Sequence, residues 1–175
     1  LNWTDIDQAV EKHSLVELVE HHVGPIAVTM KGLLAACTLV LLCQLGIGER
    51  LCPCGWERRG KSCYFFSSEK KSWTDAQQAC RNMHPKASLV EITDSGENDF
   101  VKNELNGKHA WIGGTDAYAE GSFFWIGSFT PMTFANWRDG EPNNTGGDEN
   151  CVMFYGDGQW NDGSYFDQLV FVCKM

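Results

Sequence analysis

The sequence is poor in basic residues, with 14 Lys and Arg against 23 Asp and Glu and a formal net charge of −9. Phosphate backbones are bound by clustered Lys and Arg, so this balance argues against nucleic acid as a partner. No nucleophile stands beside a candidate base, and no His and Cys stand at zinc spacing, so we expect no enzymatic activity. The 175 residues are 43% hydrophobic, which is enough for the core of one domain.

The sequence also lacks an apolar run of full membrane-spanning length. Its longest such run, from Gly32 to Gly48, has about 17 residues, whereas a spanning helix needs ~20. The run follows Met30-Lys31 and ends in Gly46-Ile47-Gly48, which has the small-residue spacing of a signal-peptidase site. We therefore predict a secretory signal peptide. A signal anchor is the alternative, but the flanking charges oppose the positive-inside tendency.

This leader sets the domain division. We assign residues 1–29 to translated upstream sequence or a disordered N-terminal segment, residues 30–48 to the signal peptide, and residues 49–175 to a secreted, extracellular domain without membrane insertion. Six cysteines follow the leader, and an even number in a secreted chain indicates disulfides: Cys52, Cys54, Cys63, Cys80, Cys151 and Cys173. Zinc at Cys52-Pro53-Cys54 is the alternative, but one such pair without a nearby His is a poor zinc signature.

An acidic segment without any basic residue lies between Asp139 and Val172, where there are seven Asp and Glu. Within it, Glu141-Pro142-Asn143 and Trp160-Asn161-Asp162 stand nineteen residues apart, with Glu149 between them. Together they supply three carboxylates and two amide oxygens, the all-oxygen set that calcium prefers. The alternative is a solvated acidic loop. Aromatic residues in the same stretch favour a packed surface around the carboxylates.

The helix and strand patterns are short, and one long loop separates them. Ser72 predicts the start of a helix that carries Cys80 near its end, and Asp94 opens a second helix that Asn106-Gly107 stops. Runs rich in aromatic and β-branched residues predict strands at 62–66, 87–92, 111–114, 123–126, 151–155 and 169–173. From Ser128 to Glu149 neither pattern is sustained. A loop of about 20 residues inside a compact domain is usually functional.

Several short motifs follow one another between residues 52 and 173: Cys52-Pro53-Cys54-Gly55-Trp56, Ser62-Cys63-Tyr64, a helix with Cys80, Trp111-Ile112-Gly113, Trp137, and the Glu-Pro-Asn and Trp-Asn-Asp phrases. In this order they resemble the C-type lectin-like domain family. The resemblance implies an α+β fold in which two helices flank two small antiparallel sheets. It also implies that the long loop region, Ser128 to Glu149, binds calcium.

The resemblance further implies the residues that bind calcium and carbohydrate. By the family's pattern they are Glu141, Asn143, Glu149, Asn161 and Asp162, and all five are present. Family members with Glu-Pro-Asn prefer mannose, N-acetylglucosamine, glucose or fucose over galactose. An amide can offer its oxygen to the metal and its NH2 to a sugar hydroxyl, which agrees with that preference. We expect Pro142 to follow a cis peptide bond.

The family also has a second, auxiliary calcium site. By the family's pattern it would use Asp116, Glu120, Asn144, Glu149 and Asn150. Because Asn144 and Asn150 stand where carboxylates are common, we expect this second site to be weak or absent. Asp148 is the neighbouring carboxylate that could compensate.

The family's pattern implies the disulfides Cys52–Cys63 and Cys80–Cys173. It would also join Cys151 to a cysteine at position 165, where this chain has Tyr165. Cys54 is extra to the pattern. We therefore expect Cys54 and Cys151 to be unpaired or intermolecular, with Cys54 able to link a homo-oligomer. A Cys54–Cys151 bridge is disfavoured because the family's fold places these positions far apart.

The function that the resemblance implies is calcium-dependent binding of mannose-type glycans on glycoproteins or microbial surfaces, as in innate immunity. The alternative is a protein-binding or ice-binding module that keeps the lectin-like fold without a sugar ligand. Most relatives of that second kind have lost parts of the five-ligand set. The set is intact here, which favours the lectin.

Overall fold

Two helices and eight strands form within residues 52–175, the residues that the computed structural model describes. The predicted upstream segment, 1–29, and the predicted leader, 30–48, lie outside the described residues. In the described part of the chain, no helix is long and apolar enough to cross a membrane. The elements are β1 (Glu57–Arg59), β2 (Ser62–Phe66), α1 (Trp73–Met83), β3 (Ser88–Leu89), α2 (Ser95–Leu105), β4 (Ala110–Thr115), β5 (Phe124–Trp125), β6 (Cys151–Phe154), β7 (Trp160–Gly163) and β8 (Val170–Lys174).

Both helices begin at the residues that the sequence indicates. The Ser72 hydroxyl accepts a hydrogen bond from the Asp75 backbone N–H at 3.2 Å, and the Asp94 carboxylate accepts one from the Glu97 N–H at 2.8 Å. These bonds satisfy donors that a helix leaves open in its first turn. Helix α2 ends at Leu105 and is capped by Asn106, whose φ of 47° is the left-handed conformation that stops a helix.

The sheet has the strand order β1-β2-β8-β4-β6-β7, with β3 paired to β8 and β5 paired to β4. The family resemblance implies two small antiparallel sheets, and in this structure they are joined. The joint is the parallel pairing of β4 with β8, which places Ala110 opposite Val170 and Trp111 opposite Phe171. The other strand pairs are antiparallel. The α+β fold class is confirmed.

The predicted strand at 87–92 is shorter in the structure, where β3 comprises only Ser88–Leu89. The reason is that the chain changes partners. The Val90 N–H donates to the Val172 carbonyl at 2.8 Å, while the Val90 carbonyl accepts from the Gly113 N–H at 2.9 Å. A Cβ at Gly113 would lie 2.8 Å from the Leu89 carbonyl oxygen, so glycine permits this close approach of two backbones.

The core consists of two hydrophobic clusters to which β4 and β6 both contribute. Ile112 and Val152 belong to one cluster, whereas Trp111 and Met153 belong to the other. Neighbouring side chains on a strand point to opposite faces, so this alternation places one cluster on each face of these strands. Trp111 and Trp125 are buried in the core.

Two disulfides anchor the ends of the described region, Cys52–Cys63 and Cys80–Cys173, with Cα–Cα distances of 5.5 and 5.6 Å. These are the two pairs that the family's pattern implies. The second joins α1 to β8 across 93 residues. In the chain-entropy model, closing a loop of that length stabilises the fold by about 4 kcal/mol.

The two described cysteines outside these pairs, Cys54 and Cys151, differ in their bonding state. Cys54 is disulfide-bonded in the structure, so the expectation of an unpaired Cys54 is wrong. Its alternative, an intermolecular link through Cys54, stays a prediction. Cys151 is a buried free thiol, and Tyr165 packs against the same hydrophobic cluster.

Candidate functional site

The long loop returns to strand β7 before it reaches the Glu-Pro-Asn motif. The Trp160 N–H donates to the Asn136 carbonyl at 2.7 Å, and the Arg138 N–H donates to the Trp160 carbonyl at 2.9 Å. The Glu141 N–H then donates to the Arg138 carbonyl at 3.0 Å, which places Glu141 beside the strand that carries Asn161 and Asp162. The Glu141–Pro142 peptide bond is cis, as the sequence analysis predicts.

Asp162 holds the motif against β7. Its side chain is 1% exposed, and its two carboxylate oxygens accept the backbone N–H groups of Asn143, at 3.2 Å, and Asn144, at 2.7 Å. A buried carboxylate requires such partners, because an unpaired buried charge is strongly unfavourable. The loop conformation therefore depends on this carboxylate.

Glu149 faces the same loop from the other side of a single 3₁₀ turn, Thr145–Gly147. Its carboxylate accepts the Thr145 N–H at 2.7 Å, and its own N–H donates to the Asn144 side-chain oxygen at 3.1 Å. Asn144 adopts a left-handed φ of 44°, which the short polar side chain of Asn tolerates. The turn thus brings Glu149 to the residues of the Glu-Pro-Asn motif.

The two amide side chains of the expected set make local hydrogen bonds. The Asn143 Oδ1 atom accepts the Thr145 hydroxyl, and the Asn161 Nδ2 atom donates to the Asp162 carbonyl oxygen. Asn143 is exposed and Asn161 is half-buried, so both amides are at or near the surface. Either amide can rotate to present its oxygen to a metal.

The electrostatics of the site centre on Glu141. Burial raises the pKa of its carboxyl, and the neighbouring carboxylates of Asp162 and Glu149 raise it further, whereas Arg138 opposes the shift. The Glu141 Oε2 atom is buried and has no hydrogen-bond partner. An orphaned carboxylate oxygen beside two further carboxylates has the chemistry of a ligand set for a hard cation.

The described residues contain no group of three His, Cys, Asp or Glu that could hold a metal ion by themselves. The predicted set differs from such a group because two of its five members are asparagines. Amide oxygens are calcium ligands as carboxylates are. The predicted residues fit calcium through this mixed donor set: Glu141, Asn143, Glu149, Asn161 and Asp162.

The structure also brings the predicted auxiliary residues together, next to the first set. The Asn144 Nδ2 atom donates to the Glu120 carboxylate at 2.6 Å, and the Asp116 N–H donates to the Asn150 carbonyl at 3.2 Å. Desolvation and then the charges of Asp116 and Asp162 raise the pKa of Glu120. One Asp116 oxygen accepts the Gly121 N–H at 2.8 Å, while the other is buried without a partner.

Two residues at the site were absent from the sequence-based set. Arg138 lies over the Tyr155 ring, with its guanidinium carbon 4.4 Å from the ring centroid, and its charge acts on Glu141. Thr145 donates its hydroxyl to the side chain of Asn143. No local pattern indicates that either residue contacts the proposed calcium ligands. Their roles follow only from the folding of the loop onto β7.

A family model described as the Lectin C-type domain matches residues 69–175, more than half of the chain. The chain belongs to the C-type lectin domain family. This C-type lectin domain is 39% identical over 133 residues to the low affinity immunoglobulin epsilon Fc receptor of Mus musculus, a match that covers 74% of the chain and 39% of the receptor. It is 36% identical over 130 residues to the hepatic lectin of Gallus gallus, covering 71% of the chain and 62% of that protein.

This C-type lectin domain thus spans less than two thirds of the length of both of those relatives. Among solved structures, it is similar to the C-type carbohydrate-recognition domain of cow CD23, crystallised in the presence of a GlcNAc2Man3 oligosaccharide. The TM-score is 0.68 and the identity 39%, over 72% of this chain and 96% of that one. The expected C-type lectin-like fold is confirmed.

A calcium-independent type II antifreeze protein also matches, with a TM-score of 0.66 over 74% of this chain and 97% of that one. At 23% identity, that likeness concerns the fold alone. The same C-type lectin scaffold therefore occurs in a protein that works without calcium. Function in this domain has to be argued from the site residues.

Proposed function

We propose that this domain binds carbohydrate in a calcium-dependent manner through the loop of Glu141 and strand β7. The observation that carries the proposal is the buried, unpartnered Oε2 atom of Glu141 beside the carboxylates of Asp162 and Glu149. A calcium ion would neutralise this repulsion and offer open coordination positions to two sugar hydroxyls. The chain would hold the ion with Glu141, Asn143, Glu149, Asn161 and Asp162.

The proposed ligand class is mannose-type, comprising mannose, N-acetylglucosamine, glucose and fucose. Glu141 can accept a hydrogen bond from a sugar hydroxyl while Asn143 donates one, and Glu149 and Asn161 form a second such pair. This order of acceptor and donor is the Glu-Pro-Asn order that the family associates with these sugars. One shallow site of this kind should reach roughly millimolar affinity, near −4 kcal/mol.

The proposed setting is extracellular, on glycans of glycoproteins or microbial surfaces. Disulfides such as Cys80–Cys173 persist in oxidising compartments, which supports that setting. Extracellular modules bind calcium at about 10⁻⁴–10⁻³ M, a range in which extracellular calcium would load the site. Because one site is weak, useful avidity would need several domains acting together.

The deciding experiment is chromatography on immobilised mannose and galactose, with calcium and then with EDTA. We expect retention on mannose only and complete elution by EDTA. The double variant Glu141→Gln with Asn143→Asp reverses the carboxylate and amide positions and should move retention toward galactose. Asp99→Asn, an exposed carboxylate of α2 outside the site, is the matched control.

Two results would contradict the proposal. One is calorimetry that detects no calcium uptake by the folded protein. The other is mannose retention that EDTA leaves unchanged. If calcium binds but an array shows no bound glycan, the domain instead binds a protein or another ligand that is not a sugar.

We also propose that the auxiliary residues bind a second calcium ion more weakly than the first. Asn144 already donates to Glu120, and that bond has to break before the Asn144 oxygen and the Glu120 carboxylate can face one metal. Calorimetry should therefore resolve a second, weaker binding event. Glu120→Gln should remove that event and leave the first one intact.

A further inference from the structure

An uncharged, mainly apolar cleft of about 570 Å³ adjoins the Glu-Pro-Asn motif, because Pro142 is one of its walls. The other walls include five aromatic or sulfur-containing side chains, and no lining residue carries a charge. The residues on which the inference depends are Phe124, Phe129, Met132, Ala135, Trp137 and Pro142. A volume of this size falls within the ~300–1,000 Å³ typical of small-ligand sites.

Aromatic rings continue from this cleft onto the exposed surface. Phe129 is 63% exposed, and its ring stacks on Phe124 with a centroid distance of 6.1 Å and an interplanar angle of 15°. Tyr118 is 78% exposed and stacks on the same Phe124 at 5.3 Å and 17°. Three nearly parallel rings, those of Tyr118, Phe124 and Phe129, therefore extend from the cleft to the surface.

Phe129 occupies a backbone conformation that does not suit it. Its φ is 56°, in the left-handed region where glycine or asparagine is favoured and a bulky residue is an outlier. The turn requires that conformation, because the Phe129 N–H donates to the Trp125 carbonyl at 2.8 Å while the Trp125 N–H donates to the Thr130 carbonyl at 2.9 Å. A residue that is unfavourable both in conformation and in exposure points to a role outside stability.

We propose that this cleft binds an alkyl chain attached to the sugar in the calcium site, so that the ligand class is a glycolipid. The inference rests on the proposed function, because the sugar holds the chain at the cleft. A further sugar unit fits the cleft less well. The accessible wall is more apolar than polar, so some of the sugar's hydroxyls would be buried without a partner, which is unfavourable. A charged peptide is disfavoured because no residue of the lining carries a charge that could pair with it.

The expected effect grows with chain length. A methylene group that the cleft removes fully from water strengthens binding about fourfold, the equivalent of about 0.8 kcal/mol. The cleft is open on one side, so the gain per methylene will be smaller than this limit. We expect hexyl α-mannoside to bind at least tenfold more tightly than methyl α-mannoside.

The experiment measures dissociation constants of methyl, butyl, hexyl and octyl α-mannosides by calorimetry, in calcium and below the micelle concentrations of the ligands. The matching alkyl galactosides report any adsorption that does not depend on the sugar. Equal affinities for all four mannosides would overturn the inference while leaving the proposed function intact. No calcium-dependent binding of any mannoside would overturn both.

Variants locate the effect. Phe129→Asn keeps a residue that tolerates the left-handed backbone and removes the exposed ring. We expect its melting temperature to be unchanged or higher and its affinity for methyl mannoside to be unchanged, while the gain with chain length is lost. Ala135→Trp, which fills the cleft from an exposed position, should act in the same way. Phe166→Asn is the control, since Phe166 is 67% exposed and lies outside the lining.

Two further outcomes would contradict the proposal. One is a full chain-length gain in both Phe129→Asn and Ala135→Trp. The other comes from sedimentation: a wild-type dimer that Phe129→Asn converts to a monomer, together with no gain from longer chains, would show that a second copy covers the cleft. If Phe129→Asn proves unstable, Ala135→Trp still decides, because it removes no core side chain.

Discussion

Asn144 donates its backbone N–H to the Asp162 carboxylate at 2.7 Å, across eighteen positions of sequence. The Asn143 N–H reaches the other oxygen of the same carboxylate at 3.2 Å. Asp162 therefore organises the Glu-Pro-Asn loop without a metal, in addition to its proposed role as a calcium ligand. The loop and β7 behave as one unit at this point.

The first prediction concerns Asp162→Asn. An amide offers one acceptor oxygen to two backbone donors, so we expect the free energy of unfolding to fall by about 1–3 kcal/mol in the absence of calcium. We also expect calcium to stabilise the variant no longer. Urea unfolding with and without calcium measures both effects, and Asp99→Asn serves as the control. If the variant is as stable as the wild type without calcium, the loop does not depend on this carboxylate.

The second prediction concerns a buried ionic cluster at Glu97. Glu97 is 3% exposed and accepts hydrogen bonds from the Tyr64 hydroxyl at 2.5 Å, the Lys174 ammonium at 2.6 Å and the Thr93 N–H at 3.0 Å. Burial by itself raises the pKa of Glu97, but the bonds from Lys174, Tyr64 and Thr93 outweigh it and lower the pKa below its usual 4.5. The cluster therefore stabilises the fold above the unfolded pKa and loses this effect as pH falls through the folded one.

Glu97→Gln should accordingly lower the free energy of unfolding by about 2–4 kcal/mol near neutral pH, because the buried partner of Lys174 loses its charge. The stability difference from wild type should shrink as pH falls below about 4.5, which chemical unfolding as a function of pH would measure. Glu69→Gln, which breaks an exposed pair with Lys71, should cost less than about 1 kcal/mol at any pH. A difference between Glu97→Gln and wild type that is constant with pH would contradict the assignment.

The third prediction concerns the thiol of Cys151. It is 2% exposed, and burial raises its pKa to about 12. The thiolate is the reactive form, so iodoacetamide should modify Cys151 far more slowly in the native protein than in urea at neutral pH. Peptide mass spectrometry quantifies the modification at this residue alone. Equal rates in both states would indicate that β6 is open in the native protein.

The fourth prediction concerns Asn143-Asn144-Thr145, which is an N-glycosylation sequon within the proposed calcium site. A glycan on Asn143 removes an expected metal ligand, so the functional fraction should carry none. Protein from a secreting host, separated on immobilised mannose, should show modified Asn143 only in the unbound fraction. Full occupancy of Asn143 in the mannose-bound fraction would exclude it as a calcium ligand. Thr145→Ala, which destroys the sequon, is the control without any modification.

Local patterns in the sequence were enough to locate both helices. Ser72 and Asp94 cap the first turns because their short oxygen-bearing side chains reach N–H groups three residues away, and Asn106 stops α2 because it tolerates the left-handed conformation. These effects depend only on neighbouring residues. Strand bounds were less accurate, as in the two-residue β3, because the partner of a strand comes from a distant part of the chain.

The sequence by itself determined which oxygen-bearing side chains the loop offers and which family they belong to, since order and spacing are properties of the chain. Only the tertiary structure decided that Asp162 supports the loop, that Glu141 keeps an unpartnered oxygen, and that the parallel pairing of β4 with β8 joins the sheets. It also decided that Phe129 stands exposed beside Pro142. These features depend on contacts between residues far apart in sequence, and no local propensity encodes them.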